Sequence, residues 1–172
     1  MSREGQVAAV TGASSGAGES AALALAAEGA AVALGSRRAD ALRGLAERIV
    51  DDGGRALALP VDVGDERQAR AFVEHVYETF GRLDVLVCAA SACPGERLEG
   101  ADTEAWRRMA RVSLLGAVYC CHAALPVMRA QGFGEIVVVP GAAAGMARGG
   151  LTAFAEALRA EVAALGVSVR LG

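Results

Sequence analysis

The chain has 172 residues, 53% of them hydrophobic and only 4% aromatic, with a formal net charge of −3. That length supports one domain with one sizeable core, filled by Ala, Val and Leu rather than by aromatic platforms. All 17 residues in the combined Lys and Arg count are arginines, scattered among acids, which excludes the basic footprint of a nucleic-acid binder.

Strand and helix patterns alternate from end to end. Val7–Val10 is a short apolar strand, and Gly16 to Glu28 reads as a helix rich in Ala and Leu. Ala31–Leu34 is a second strand, expected to stop at Gly35. Ala39 to Asp52 is an amphipathic helix with Leu42, Leu45, Ala46 and Ile49 at helical spacing, ended by Gly53-Gly54. Ala56–Pro60 is a third strand, and Gly64 to Phe80 a third helix closed by Gly81. Val85–Ala89 is a fourth strand, followed by a loop with Pro94 and Gly95. Thr103 to Ala130 reads as one long helix, with a kink expected at Pro126. Ile136–Val139 is a fifth strand broken by Pro140-Gly141, Leu151 to Leu165 a short helix, and Val167–Leu171 a sixth strand. Continuous apolar strands separated by helices predict a parallel sheet covered on both faces. The expected fold class is therefore a doubly wound α/β domain of about six strands, a single unit over 1–172.

No apolar run reaches the roughly 18–20 residues needed to cross a bilayer. The N-terminus passes straight into a strand without the layout of a signal peptide. A cytoplasmic protein with no membrane partner is the expectation. Four cysteines stand at 88, 93, 120 and 121. Cys120, Cys121 and His122 are consecutive on a helix and do not converge on one ion, so no metal site is expected and the thiols read as small buried residues.

The chemistry concentrates at strand ends. Thr11-Gly12-Ala13-Ser14-Ser15-Gly16-Ala17-Gly18 lies between a strand and a helix, the arrangement that cradles a pyrophosphate. Gly12 permits the tight turn, Gly16 lets backbone approach phosphate, and Gly18 lets the helix close on the sheet. Ser14 and Ser15 can add hydroxyl contacts. The competing reading is a tight turn with no ligand. After the second strand come Ser36, Arg37 and Arg38, with no carboxylate to accept from a ribose hydroxyl. Two arginines there favour a 2′-phosphate and hence NADP(H), unless they are simply a solvated helix start. Asp62 and Val63, after the third strand, can hold an adenine amino group and ring nitrogen, or Asp62 can cap the following turn.

On these residues the chain resembles the short-chain dehydrogenase/reductase family over nearly its whole length. Thr11-Gly12-x-x-x-Gly16-x-Gly18 matches the family's phosphate turn, and Asp62-Val63 its adenine contact. Trp106-Arg-Arg through Ser113-Leu-Leu-Gly116 resembles the family's long interface helix, and Phe154-Ala-Glu-Ala-Leu-Arg-Ala-Glu161 the later part of its catalytic helix. The resemblance implies a Rossmann-type fold, a dinucleotide partner in NADP(H), with Ala89 and Ala90 beside it, and oxidoreductase ancestry.

Several positions depart from the family pattern. The Asn-Asn-Ala-Gly turn is Cys88-Ala89-Ala90-Ser91, a departure that points to weak cofactor binding. The catalytic asparagine aligns with Ser113, and the catalytic serine with Pro140 or Gly141. The Tyr-x-x-x-Lys motif is missing: either about ten residues are absent between Gly150 and Leu151, or Phe154 and Leu158 hold the two places. The segment after Gly172 that would cover substrate and add a seventh strand has no counterpart in this sequence.

The expectation is an NADP(H)-binding relative without standard carbonyl reductase activity: a pseudoenzyme, scaffold or inactive partner. The alternatives are an active NADP(H)-dependent oxidoreductase with an unusual proton donor, and a remnant with no selected function. Tyr77, Tyr119 and His122 are expected to pack in helices. The apolar helix 103–130 is expected to join a second copy, or a complete homologue of the family.

Overall fold

The computed structural model describes residues 2–93, 98–100, 102–140 and 145–172. Pro94, Gly95 and Gly141, singled out above, lie outside them. The elements are β1 (Val7–Thr11), α1 (Gly16–Ala27), β2 (Ala31–Ser36), α2 (Ala39–Asp51), β3 (Arg55–Pro60), α3 (Glu66–Phe80), β4 (Val85–Cys88), α4 (Thr103–Met109), α5 (Gly116–Gln131), β5 (Gly134–Val138), α6 (Gly145–Val162) and β6 (Val167–Leu171). A single 3₁₀ turn precedes α4, and a π-helical segment, Ala110–Leu115, joins α4 to α5.

All strand pairs are parallel, in the order β3-β2-β1-β4-β5-β6. This is the doubly wound fold expected from the alternation. The order reverses between β1 and β4, which opens a crevice at the carboxyl ends of the strands. Helices α1 and α2 cover one face, where Leu25, Leu42, Leu45 and Ile49 meet Val10, Val32 and Leu34. Helices α3, α5 and α6 cover the other, where Phe72, Val76, Cys120 and Leu158 meet Ala9, Leu86 and Ile136.

Four local expectations are corrected. β2 runs through Gly35 instead of stopping there, pairing it with Thr11 and Leu59. A side chain at Gly35 would lie 2.9 Å from the Phe72 ring and 3.1 Å from Val61 Cγ1, so the glycine makes room for α3. α3 begins at Glu66, after Asp65 accepts from the backbone N–H groups of Arg67 (2.9 Å) and Gln68 (3.2 Å). The long helix is interrupted at Ala110–Leu115, while Pro126 sits on an exposed side inside continuous α5. α6 starts at Gly145, six residues before Leu151, and ends at Val162 rather than Leu165. Ala147 is buried against Met109 and Trp106, and Leu151 against the sheet. Anchors on both sides carry the helix through Gly149-Gly150, glycines that each cost about 1 kcal/mol in a helix interior.

The membrane expectation is also corrected in one respect. Thr103–Gln131 is long and apolar enough to cross a bilayer by length and composition. A count of uninterrupted apolar residues misses it because Arg111, Ser113 and His122 are spaced within it. Its Met109, Cys120, Ala124 and Met128 are buried in the fold, so it packs as a core helix.

Candidate functional site

A groove of about 500 Å³ lies at the carboxyl ends of β1 to β4. Its walls are Gly12, Ser14, Ser15, Gly16 and Ala17 from the turn between β1 and α1, Gly35 to Arg38 from the end of β2, Val61 to Val63 after β3, Ala89 to Ser91 after β4, and Val112. Eleven of the twelve cofactor residues expected from sequence meet there. Gly18 is the exception. It is buried in the first turn of α1 with its Cα facing the carbonyl of Gly12, where any side chain would collide. Its work is to let the helix close on the turn.

The turn after β1 leaves backbone open to the groove. Gly12 (φ 68°) and Gly16 (φ 56°) both occupy the left-handed region. A Cβ on Gly12 would lie 2.6 Å from Ala89 O and Ala90 N, so the glycine admits the β4 loop. Over Gly16 nothing approaches within 4 Å, which leaves bare backbone facing the groove at a helix N-terminus. The residues present fit a pyrophosphate-bearing ligand.

The two arginines are not equivalent. Arg38 donates from Nε to Ser14 Oγ (3.1 Å) and from a terminal nitrogen to Ser14 O (2.6 Å), tying the start of α2 to the turn after β1. Its backbone N–H donates to Ser36 Oγ (3.1 Å). Arg37 is exposed on the groove wall, with its guanidinium unengaged by the described residues. Asp62 does what a turn cap does: its Oδ1 accepts from Gly64 N–H at 3.0 Å. It also lines the groove, so the two readings of Asp62 are compatible.

Sequence reasoning missed Ala17, Gly35, Val61, Ser91 and Val112. The first four adjoin residues already singled out. Val112 carried no signal, because it comes from the π-helical segment some twenty residues further along. The neighbouring Ser113 is 1% exposed and takes both polar groups of one residue: Oγ accepts from Ala92 N–H (2.9 Å) and donates to Ala92 O (3.2 Å). This clasp fixes the loop that carries Ala89 to Ser91.

The remaining reactive side chains are elsewhere. Tyr77 and His122 are exposed on α3 and α5, against the expectation of packed positions, because the outer side of each helix faces solvent. Tyr119 is half-buried against the core. Cys93 is exposed, which corrects the expectation of buried thiols throughout. Cys88 and Cys121 are buried with sulfurs 4.0 Å apart. That contact and burial push the Cys88 thiol well up, and burial does the same to Cys120, so neither is a ready nucleophile. Phe154 and Leu158 pack into the core from α6 and neither lines the groove.

The short chain dehydrogenase family model matches residues 6–171. The chain belongs to the short-chain dehydrogenase family. It is 35% identical over 175 residues to glycine betaine reductase of Emericella nidulans, covering 96% of this chain and 14% of that protein. It is 35% identical to an uncharacterized oxidoreductase of Staphylococcus saprophyticus (96% and 70% covered). It is 42% identical over 135 residues to cis-4-hydroxycyclohexanecarboxylate dehydrogenase of Sinomonas cyclohexanicum (78% and 54%). The chain thus spans little more than half of the last relative and a small part of the first. Among solved structures, a metagenomic short-chain oxidoreductase in complex with NADP superposes with a TM-score of 0.92 at 31% identity, covering 98% of this chain and 81% of that one. A short-chain type dehydrogenase/reductase from Mycobacterium marinum gives 0.93 at 27%, covering 99% and 74%. The Rossmann-type architecture of this short-chain dehydrogenase chain is that of the family.

Proposed function

We propose that the groove binds NADP(H) and that the chain carries out no ordinary carbonyl reduction, acting instead as a pseudoenzyme: a scaffold or the inactive partner of a complete homologue. Binding is supported by the open backbone at Gly16, by Arg37 and Arg38 at the end of β2, and by an NADP complex in a related structure. In this reading the turn from Gly12 to Gly16 and the hydroxyls of Ser14 and Ser15 hold the pyrophosphate. Arg37 takes the 2′-phosphate, and Ser36 and Arg38, tied to each other and to Ser14, hold that wall of the groove in place. Asp62 and Val63 meet the adenine, and Ala89 and Ala90 flank its ribose. Bound NADP(H) supplies a hydride donor or acceptor.

The observation that carries the catalytic half of the proposal is the inventory of the groove. Among the described residues its ionisable groups are Arg37, Arg38 and Asp62, and its hydroxyls belong to serines. The chain has no lysine, and its two tyrosines, Tyr77 and Tyr119, lie on α3 and α5 away from the groove wall. Ser113 is already committed to Ala92, and Pro140 or Gly141 stands where the resemblance aligns a serine. General acid catalysis is typically worth about 10²–10⁴-fold and a placed oxyanion donor about 10²–10³-fold. Losing both leaves no useful rate. NADPH oxidation with a panel of ketones and aldehydes should stay at background. Turnover that disappears in a Gly16 variant impaired in cofactor binding would refute the proposal.

The same reading includes a partner on the helical stretch from α4 through the π-helical segment to α5. Leu115 is exposed, and Leu114, Val118, Tyr119, Ala123 and Leu125 are only half-buried, so the helix keeps an apolar outer face. A homodimer, or a heterodimer with a complete homologue, covers it. A dimer mass in light scattering at micromolar concentration is expected for the homodimer, and a sharp monomer counts against it.

A further inference from the structure

Three of the four cysteines lie inside the fold, and two of them touch. Cys88 ends β4 and Cys121 lies in α5, 33 residues further along, with their Sγ atoms 4.0 Å apart. Both are buried, Cys88 at 4% and Cys121 at 1% exposure, in the cluster where α3, α5 and α6 meet the sheet. Cys120 is buried there too, but as the preceding helical residue its side chain leaves the helix about 100° away. The sulfur that meets Cys88 is that of Cys121. The backbone of Cys88 is held from both sides. It pairs with Thr11 of β1 and Val138 of β5, and its carbonyl accepts from Val139 N–H at 2.9 Å. Neither thiol lines the groove, so the dinucleotide reading leaves the pair without a role.

We propose that Cys88 and Cys121 are a dithiol modification site, which hydrogen peroxide closes into a disulfide that staples α5 to the middle of the sheet. The sulfurs have to approach from contact distance to about 2.05 Å. Because β4 is paired along both edges, that movement falls to the two side chains and to α5, not to the strand. One sulfur gives up its proton and attacks a peroxide oxygen. The O–O bond breaks, the first water leaves with that proton, and a sulfenic acid remains. The second sulfur then attacks the first, the S–O bond breaks, the S–S bond forms, and a second water leaves with the remaining thiol proton. The two thiols lose two electrons in all, and one peroxide becomes two waters. A partner sulfur already in contact traps the sulfenic acid before a second peroxide carries it to the sulfinic acid. Burial keeps the thiolate fraction small, so closure takes minutes to hours and not seconds. The staple holds whether or not the groove binds a dinucleotide.

The test starts from the reduced full chain, treated with hydrogen peroxide, then denatured, alkylated and mapped by fragmentation mass spectrometry. A Cys88–Cys121 bond within one chain is expected, with the loss of two hydrogens. Cys93 is exposed and shows in the same map that the oxidant was active. The double variant Cys93→Ser/Cys120→Ala keeps only the proposed pair and should form the same bond. Closing a loop of 33 residues should raise the melting temperature of the oxidised double variant by roughly 5–10 °C over its reduced form, and a phosphine reductant should undo the rise. Cys88 and Cys121 still free once Cys93 has been oxidised overturns the proposal. So does a bond from Cys88 to Cys93 or Cys120, a sulfinic acid at Cys88, or a melting temperature that oxidation lowers or leaves unchanged. Should the double variant fold poorly, the map and melting of the unsubstituted chain decide by the same outcomes.

Discussion

Replacing Arg37 and Arg38 one at a time is expected to separate cofactor choice from cofactor affinity. Arg37 offers a guanidinium free of described partners on the groove wall, whereas Arg38 already gives two hydrogen bonds to Ser14. A hydrogen bond between charged groups contributes about 1.5–3 kcal/mol, and each 1.4 kcal/mol is about tenfold in affinity. Because Arg37 is exposed and screening acts over about 8 Å at physiological salt, the lower end applies. Arg37→Ala should therefore weaken NADP⁺ about tenfold and leave NAD⁺ unchanged. Arg37→Glu should reverse the preference by repelling the 2′-phosphate. Arg38→Ala removes a tether between α2 and the phosphate turn, so it should weaken both cofactors, by about fivefold for the net loss of roughly 1 kcal/mol. Calorimetry with both cofactors at low and physiological salt measures each term. Equal binding of NADP⁺ and NAD⁺ by the unmodified chain, or an Arg37→Ala variant that loses both equally, refutes the division of labour.

Two further outcomes concern the frame around the groove. In Gly18→Ala the new Cβ meets the Gly12 carbonyl and lies 2.6 Å from Gly12 C and 3.1 Å from Ala13 N, backbone that cannot swing aside. Overpacking of this kind costs about 1–3 kcal/mol, so a melting temperature lowered by roughly 3–10 °C is expected. Gly44→Ala in α2 meets nothing within 4 Å and should raise it slightly, and a Gly18→Ala variant that melts like the parent would contradict the packing. Glu135 is pushed up by burial, but its hydrogen bonds and charge pairing with Arg170 and Arg3 outweigh that and hold it below the usual 4.5. A depressed folded-state value means the stabilisation is complete above about pH 4.5 and is lost as the pH falls through the folded value. The parent should thus lose stability on acidification more steeply than Glu135→Gln in denaturant titrations at several pH values, and parallel slopes would count against this account.

Much of the molecule was legible in the chain because it depends on local chemistry. Apolar runs bounded by glycines marked the strands, since a strand buried on both faces needs no polar residue. Gly12, Gly16 and Gly18 marked the turn because backbone approach and helix closure tolerate no side chain. Arg37 and Arg38 were visible as a basic pair after Ser36 with no competing carboxylate. The missing lysine is a property of composition and needs no coordinates.

Other features arise from residues far apart in sequence, and only the tertiary structure decided them. Gly35 looks like a strand breaker until Phe72 is packed over it. Gly149-Gly150 looks like a break until Ala147 and Leu151 are buried on either side. Val112 joins the groove, and Ser113 clasps Ala92, because the helix bearing them is laid against the β4 loop. The separate duties of Arg37 and Arg38 follow from where Ser14 comes to rest. Sequence periodicity records which side of an element is apolar. Which distant group that side will meet is set by burial across the whole core, where a single long-range contact can outweigh a local preference of about 1 kcal/mol.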